Sequence, residues 1–183
     1  MRAARYLVLT ALLAVSGTAS AVEGDFYWGL AYMHGNYDFD SGATYHPEGA
    51  VAKLGYDLIG QRIAFEVHLA SSRDDRKNIG GIDTRLSLTY LTAAFLRYNI
   101  VARDNFRLYA MGGYGRAKVH YEVTGVGTKN DTSSGAAYGV GMELYGNEHG
   151  AINIDYLRYV KDADISGAKF QINSVNIGYV HHF

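Results

Sequence analysis

Seven histidines are the side chains that most readily suggest catalysis, because imidazole is the commonest general base in enzymes. They are scattered along the chain, at His34, His46, His68, His120, His149, His181 and His182. Nucleophilic catalysis also needs a serine hydroxyl beside such a base. His68 and Ser71 are three residues apart, which places them on opposite faces of a strand. No catalytic residue is predicted, although a serine–histidine pair distant in sequence stays open.

A second candidate site is an acidic segment that begins like a calcium-binding loop. Asn36, Asp38 and Asp40 alternate along it. Such a loop needs a glycine at its sixth position and a glutamate at its twelfth. Ser41 occupies the glycine position, and Glu48 comes one residue too late. The segment is better interpreted as a solvated loop, and neither a metal site nor a cofactor site is predicted.

The composition limits the class of protein. The 183 residues include 22 Gly and 16 Tyr but one Pro and no Cys. High apolar and aromatic content excludes a disordered chain, and the absence of cysteine excludes a disulfide scaffold. The 17 Lys and Arg against 18 Asp and Glu leave no basic excess for nucleic acid. Abundant Tyr with almost no Pro is typical of a chain built from strands.

The first 21 residues have the pattern of a secretory signal peptide. Arg2 and Arg5 precede an apolar run from residue 6 to residue 15, and small residues 19–21 form an A-x-A cleavage site. The apolar run is too short for a transmembrane helix, and no other stretch reaches 18 apolar residues. We therefore expect a signal peptide at 1–21 and an exported domain at 22–183.

The exported part alternates with a period of two. Eight strands of roughly ten residues are predicted, near residues 26–35, 50–57, 63–69, 84–99, 106–115, 136–144, 152–157 and 174–183. Three short connectors alternate with four long polar ones, near 36–49, 70–83, 118–135 and 160–169. This alternation predicts an all-β fold, an eight-stranded antiparallel up-and-down barrel with both termini at the short-turn end.

The composition of the two strand faces indicates which side meets lipid. A soluble barrel directs its apolar face inward, whereas a membrane barrel directs it outward. Here the second face combines glycines with long charged side chains, which suits the narrow lumen of eight strands. The predicted lumen charge network consists of Lys53, Asp57, Arg62, Glu66, Arg97, Arg107, Glu143 and Asp155.

A tight turn at Ile59-Gly60 would set the register of the second and third strands. Asp57 would then face Arg62, and Lys53 would face Glu66. Both are pairs of opposite charge, and each is worth about 0.2–1 kcal/mol between exposed strands. The opposing interpretation is accidental alternation on a solvated face, since both pairs depend on one assumed register.

Aromatic residues cluster at the predicted strand ends, as in the interfacial girdles of a membrane barrel. The predicted membrane girdle contains Trp28, Tyr56, Tyr98, Phe106 and Tyr179. Tyr32, Tyr90, Tyr114 and Tyr156 would lie nearer the long loops. Tyrosine suits this depth because its ring is apolar and its hydroxyl is hydrated.

The last strand ends in Gly178, Tyr179 and Phe183, which resemble the assembly signal of outer-membrane barrels, although His181 stands where an apolar residue is usual. With the stretches at 26–32, 55–57, 64–66, 96–98 and 109–114, the chain resembles the small OmpA/OmpX-type outer-membrane barrels. The resemblance implies a monomer in the outer membrane of a Gram-negative bacterium. Its expected partners are outer-membrane lipid, lipopolysaccharide and the barrel-assembly machinery, and no soluble periplasmic domain is expected after Phe183.

The expected function lies on the four long loops, which carry most of the functional diversity of a rigid scaffold. We expect no enzyme but a surface-exposed structural or interaction protein, serving envelope integrity, adhesion or resistance to host factors. An extracellular protein or surface ligand would bind the loops. The alternative is a narrow channel for ions or small solutes, gated by the lumen pairs. A lipid A-modifying enzyme is less favoured, because the deacylase-like His-x-Ser arrangement does not occur.

Overall fold

A computed structural model of the protein describes residues 26–39, 44–59, 61–79, 82–123, 127–165 and 168–183. The predicted signal peptide lies outside the described residues. The strands are β1 Phe26–Phe39, β2 Thr44–Tyr45, β3 Glu48–Ile59, β4 Ile63–Ser72, β5 Asp75–Ile79, β6 Ile82–Arg103, β7 Phe106–Val123, β8 Gly127–Tyr145, β9 Gly150–Ile165 and β10 Ala168–His182. No helix in these ranges is long and apolar enough to cross a membrane.

Eight of these strands close a barrel. β1, β3, β4, β6, β7, β8, β9 and β10 pair with their neighbours in chain order, and β10 pairs with β1 from Tyr27–His182 to Phe39–Phe170. The two short strands β2 and β5 add to β1 and β6. The predicted eight-stranded antiparallel barrel is confirmed. We call the end with the tight turns at 61–62, 104–105 and 146–149 the turn end, and the opposite end the distal end.

The strands extend further toward the distal end than the sequence predicts. Residues 118–135 were expected to form a long loop, but β7 and β8 stay paired as far as Val123 and Gly127. The prediction of four long loops is therefore wrong in extent. Residues 128–134 of β8 are polar on both faces and so give no hydrophobic alternation, whereas the period of two in β7 continues through Val119, Tyr121 and Val123 and marks its extension.

The register of β3 and β4 differs from the predicted one. Lys53 lies opposite His68, and Asp57 lies opposite Ala64, so the predicted pairs Lys53–Glu66 and Asp57–Arg62 are wrong. The turn is centred one residue later than expected, because the Arg62 N–H donates to the Ile59 carbonyl over 2.8 Å. When the centre of the turn moves by one residue, the residue numbers of each cross-strand pair add up to a total that is larger by two. Every residue of β3 therefore has a different partner on β4.

A bulge in β6 exchanges the faces of its distal half. Leu88 pairs with Val119 and Tyr90 with Lys118, which leaves Thr89 as the additional residue. Leu86 and Leu88, predicted on the lipid face with Tyr90, are 1% exposed in the interior. Tyr90 stays on the outside with 39% exposure.

Below the bulge the two faces separate as predicted for a membrane barrel. Leu30, Leu96 and Ile152 are more than half exposed on the outside. Glu66 and Glu143, in contrast, are 1% and 0% exposed in the lumen. A soluble barrel would have the reverse arrangement, so the exterior suits a hydrocarbon solvent.

Glycine makes room for large side chains inside this narrow barrel. A Cβ on Gly55 would lie 2.0 Å from the ring of Tyr27, and one on Gly113 would lie 1.9 Å from the Ala94 carbonyl oxygen. Both distances are impossible for real atoms. Glycine at these positions therefore lets a neighbouring ring or strand approach closely.

Disulfide cross-linking tests the β3–β4 register, since the chain has no cysteine of its own. We expect Ala52→Cys with Leu69→Cys to oxidise readily, because these two residues are cross-strand partners. The matched pair Ala52→Cys with Val67→Cys belongs to the sequence-predicted register and is expected to oxidise poorly. Non-reducing mass spectrometry in micelles measures both, and the reverse order would contradict the structure.

Candidate functional site: the lumen network

The lumen of the turn-end half is filled by polar side chains from seven strands. Period-two geometry directs them inward, because alternate residues of a strand share a face. We call this set the lumen network, and its buried members are Lys53, Asp57, Glu66, His68, Arg97, Arg107, Glu143, Asn153, Asp155, Asn176 and His182.

Arg97 is the centre of the network. Its two terminal nitrogens donate to both Glu143 oxygens over 2.6 and 2.8 Å, and Nη1 lies 3.5 Å from Glu66. The Arg97 Nε–H donates to Asn99 Oδ1 over 2.9 Å. The guanidinium also stacks 3.8 Å above the Tyr109 ring. A planar, bidentate fork of this kind requires arginine and fixes both carboxylates.

Lys53 forms a second centre. Its ammonium pairs with Asp155 and donates to Asn153 Oδ1. Asn176 donates to the other Asp155 oxygen over 2.5 Å, and Asn153 Nδ2 donates to the Tyr109 hydroxyl over 2.6 Å. Tyr109 therefore links the two centres, since the Arg97 guanidinium also stacks on its ring.

A histidine that the sequence analysis did not assign connects the network to the distal half. His68 Nε2 contacts Glu66, and its Nδ1 lies 2.9 Å from the Tyr159 hydroxyl. The Tyr27 hydroxyl donates to the second Glu66 oxygen over 2.6 Å. His68 follows Glu66 by two residues, so the period-two pattern contains a signal that could have found it.

At the turn end the network is looser. Arg107 lies 3.7 Å from Asp57, and its guanidinium lies 5.0 Å from the Tyr145 ring centre. The Tyr145 hydroxyl donates to Glu143 over 2.9 Å and lies 2.9 Å from His182 Nε2. These groups form the turn-end boundary of the network, and Arg107, Asp57 and His182 are still buried there.

Arg62 is not part of the network, which corrects the sequence prediction. It is exposed at the β3–β4 turn, because that turn places residues 61 and 62 outside the paired strands. Without it, the buried cations Lys53, Arg97 and Arg107 face the carboxylates Asp57, Glu66, Glu143 and Asp155. Hydroxyl, amide and imidazole groups contribute the remaining contacts of the carboxylates.

Toward the distal end the lumen becomes apolar, which the sequence analysis did not predict. Its buried side chains include Met33, Tyr37, Val51, Leu86, Leu88, Leu91, Phe95, Val119, Leu157 and Ile172. We call this set the apolar layer. It packs directly on the network, since the Phe95 ring lies 4.9 Å from the His68 ring. Tyr37 and Val119 of this layer come from strand extensions that were expected to be loops.

The comparisons with known proteins agree with this architecture. The family model described as the outer membrane protein beta-barrel domain matches residues 7–183. The chain belongs to this family. The barrel is therefore an outer-membrane barrel, and its apolar exterior faces lipid. No curated protein sequence matches the chain significantly.

Several solved outer-membrane barrels share the fold. Neisserial surface protein A has a TM-score of 0.69 at 16% identity, over 88% of this chain and 100% of that chain. Ail of Yersinia pestis, in complex with the heparin analogue sucrose octasulfate, has a TM-score of 0.64 at 18% identity over the same shares. OprG from Pseudomonas aeruginosa has a TM-score of 0.53 at 15% identity, over 87% and 96%.

The predicted girdle residues lie on the exterior of this membrane barrel near the turn end, with Tyr179 and Phe183 of the assembly signal, whereas Gly178 lies on the lumen face with Asn176 and Val180. Phe26 packs on Tyr56 with ring centres 4.7 Å apart, and Trp28 lies 6.3 Å from Tyr179. Tyr98 is half exposed. Phe106, also of the predicted girdle, begins β7.

Gly178 and Phe183 belong to the predicted assembly signal with Tyr179. A Cβ on Gly178 would lie 2.2 Å from the Leu30 carbonyl oxygen, so glycine permits the β10–β1 closure here. Phe183 is 71% exposed at the end of the chain. The part of these residues in assembly stays a prediction.

Two glutamate variants test how much the network stabilises the barrel. We expect Glu143→Gln to lower the free energy of unfolding by about 3 kcal/mol, because it leaves the buried Arg97 charge poorly compensated. Glu122→Gln is the matched control, since Glu122 pairs with Arg85 over 3.7 Å with both side chains 43% exposed. That change is expected to cost less than about 1 kcal/mol. Urea unfolding in micelles, followed by Trp28 fluorescence, measures both, and equal costs would contradict the network.

Proposed function

We propose that the protein is a surface-exposed interaction protein of the outer membrane, with the closed barrel as its anchor and the distal end outside the cell. The short turns then face the periplasm, as in other outer-membrane barrels. We propose no enzymatic activity. In support, no histidine of the described ranges hydrogen-bonds a serine hydroxyl, and no three side chains of the metal-ligating types are grouped there.

The filled lumen supports an anchor over a pore. The bidentate Arg97–Glu143 pair and the Lys53–Asp155 pair lie across the lumen, between strands that are not neighbours. Above them the apolar layer closes the distal side, with Phe95 and Leu88 each 1% exposed. An ion crossing this path would have to displace paired charges and then enter an apolar region, and both steps are costly.

The observation that carries the proposal is a free strand edge at the distal end. β8 pairs with β7 along its whole length, but it pairs with β9 only over Tyr138–Tyr145. Residues 127–137 thus have β7 as their one strand neighbour among the described residues. An unpaired edge presents a row of N–H and C=O groups that another chain can extend by strand addition.

The geometry shows which groups face the free edge. The Tyr145 N–H donates to the Asn105 carbonyl over 3.0 Å, toward the β7 side. Because hydrogen-bonding direction alternates along an antiparallel strand, even-numbered residues point away from β7. The groups at the free edge therefore belong to Thr128, Asn130, Thr132, Ser134 and Ala136. These mostly polar residues suit an aqueous exterior and an extended peptide partner.

The remaining partners follow from this orientation. We propose that the barrel contacts outer-membrane lipid and lipopolysaccharide, is folded by the barrel-assembly machinery and acts as a monomer. The roles in adhesion, envelope integrity or resistance to host factors stay open alternatives within the same proposal, since each would use the distal surface.

A proline at the free edge tests strand addition. Ser134→Pro removes one edge N–H while leaving the β7 ladder intact, because Ser134 directs its N–H away from β7. Thr132 is less suitable, since its N–H already donates to Asp131 Oδ1 over 2.9 Å. Peptides selected from a random library on the micellar protein are expected to bind this variant about tenfold more weakly, through one lost hydrogen bond and the blocking ring.

Ser134→Ala is the control, because it also removes the hydroxyl that accepts from Tyr114 but keeps the N–H. It is expected to bind the selected peptides like the original protein. Peptides that bind all three proteins equally would contradict strand addition at this edge.

Conductance separates the anchor from the channel. We expect planar bilayers containing the protein to show no stable conductance, because the network and the apolar layer fill the lumen. A stable conductance that changes with Lys53→Ala or Glu66→Ala would favour the channel and contradict the anchor.

A further inference from the structure

Three cations stand on the exterior of the distal half, on two strands of the same side of the barrel. Arg116 and Lys118 follow Tyr114 along the outward face of β7, and Arg158 lies on the outward face of β9. We call these three residues the basic sector. Tyr114 is 60% exposed and Tyr156, just before Arg158 on the same face, is 49% exposed. Exposed tyrosines mark the membrane–water interface, so the basic sector begins where the hydrocarbon ends.

Within the part of the chain that the structure describes, the charges of the basic sector are not neutralised. Among the described residues no carboxylate lies within 4.0 Å of Arg116, Lys118 or Arg158. Arg158 is held by neutral groups, since it donates to Asn173 Oδ1 over 2.8 Å and to the Tyr138 hydroxyl over 3.0 Å. The neighbouring cation Arg85, in contrast, has Glu122 as its partner.

Hydroxyl groups surround the two β7 cations. Thr92 and Ser134 are the cross-strand neighbours of Arg116, and Tyr90 and Thr132 are those of Lys118. The Tyr114 hydroxyl donates to Ser134 over 3.0 Å, which holds the ring against this cluster. Hydroxyls and cations without carboxylates make a surface of hydrogen-bond donors that suits phosphate oxygens.

The sector is confined to one side of the barrel. The adjoining distal rim on the far side of β6, formed by β1 to β5, carries carboxylates at Asp38, Glu48, Asp74 and Asp75. Asp38 accepts from Thr44 over 3.0 Å, and Asp75 accepts the His46 N–H over 2.7 Å. The cations Arg73 and Arg76 of that rim directly flank two of these carboxylates in sequence, whereas no carboxylate adjoins the cations of the basic sector.

We propose that the basic sector binds the phosphate groups of a phosphorylated glycolipid in the outer leaflet, as found in lipid A. The lipid fits because its phosphates lie at the level of the tyrosine ring while its acyl chains cover the apolar strand faces below. The proposal rests on the distal end being outside the cell. It does not depend on strand addition at β8, which Ser134→Pro tests separately.

Native mass spectrometry of the micellar protein with lipid A tests the proposal. We expect Arg116→Gln with Lys118→Gln to weaken lipid A binding about tenfold or more, because each basic residue near a lipid surface contributes severalfold. Arg73→Gln with Arg76→Gln is the matched control, since it removes the same charge from exposed residues on the far side of β6. This control is expected to change binding less than twofold.

Three further measurements make the outcome decisive. Dephosphorylated lipid A should bind the original protein as weakly as lipid A binds the β7 double variant. Heat-modifiable gel mobility should show that both double variants fold. Equal losses in both double variants, or no loss in either, would overturn the proposal. If the β7 double variant lost sucrose octasulfate binding but kept its lipid A binding, the lipid proposal would also be overturned. The basic sector would then be assigned to sulfated sugars.

Discussion

Closure of the backbone ladder is the constraint on which the rest of this structure depends. Inside hydrocarbon no water satisfies an N–H or C=O group, so a strand without a neighbour would cost several kcal/mol per group. β10 pairs with β1 along thirteen successive residue pairs, and this seam removes both membrane edges. Eight strands leave a lumen too narrow for free solvent. The charged side chains inside must therefore satisfy one another.

The lumen network shows how that requirement is met. A buried ion pair is not a strong source of stability, because desolvation offsets most of its attraction. The pairs in the lumen instead define geometry. Arg97 hydrogen-bonds Glu143, and Tyr109 stacks on the Arg97 guanidinium. Four strands of the barrel wall contribute side chains that contact this guanidinium. These contacts join strands that are not neighbours in the wall and so tie opposite sides of the barrel together across the lumen.

Much of this architecture can be predicted from the sequence. The features that cannot be predicted have identifiable physical causes. Alternation and glycine placement predicted the eight strands and their lipid faces, because one apolar face leaves a clear period of two. The partners of Lys53 and Asp57 could not be predicted, since they depend on a turn that includes Gln61 at a positive φ of 60°. The inward turn of Leu88 depends on Thr89, a single bulged residue with no signal of its own. The distal part of β8 could not be predicted because residues 128–134 are polar on both faces, whereas β7 keeps its period of two as far as Val123.

The apolar layer and the lumen network divide the interior of the barrel into two halves that tolerate opposite substitutions. A polar side chain in place of Leu88 or Phe95 would be buried without a hydrogen-bond partner. An apolar side chain in place of Glu143 would instead leave the buried charge of Arg97 without its main partner. The contact between the Phe95 and His68 rings therefore marks a boundary, and an interior residue is constrained by the half in which it lies.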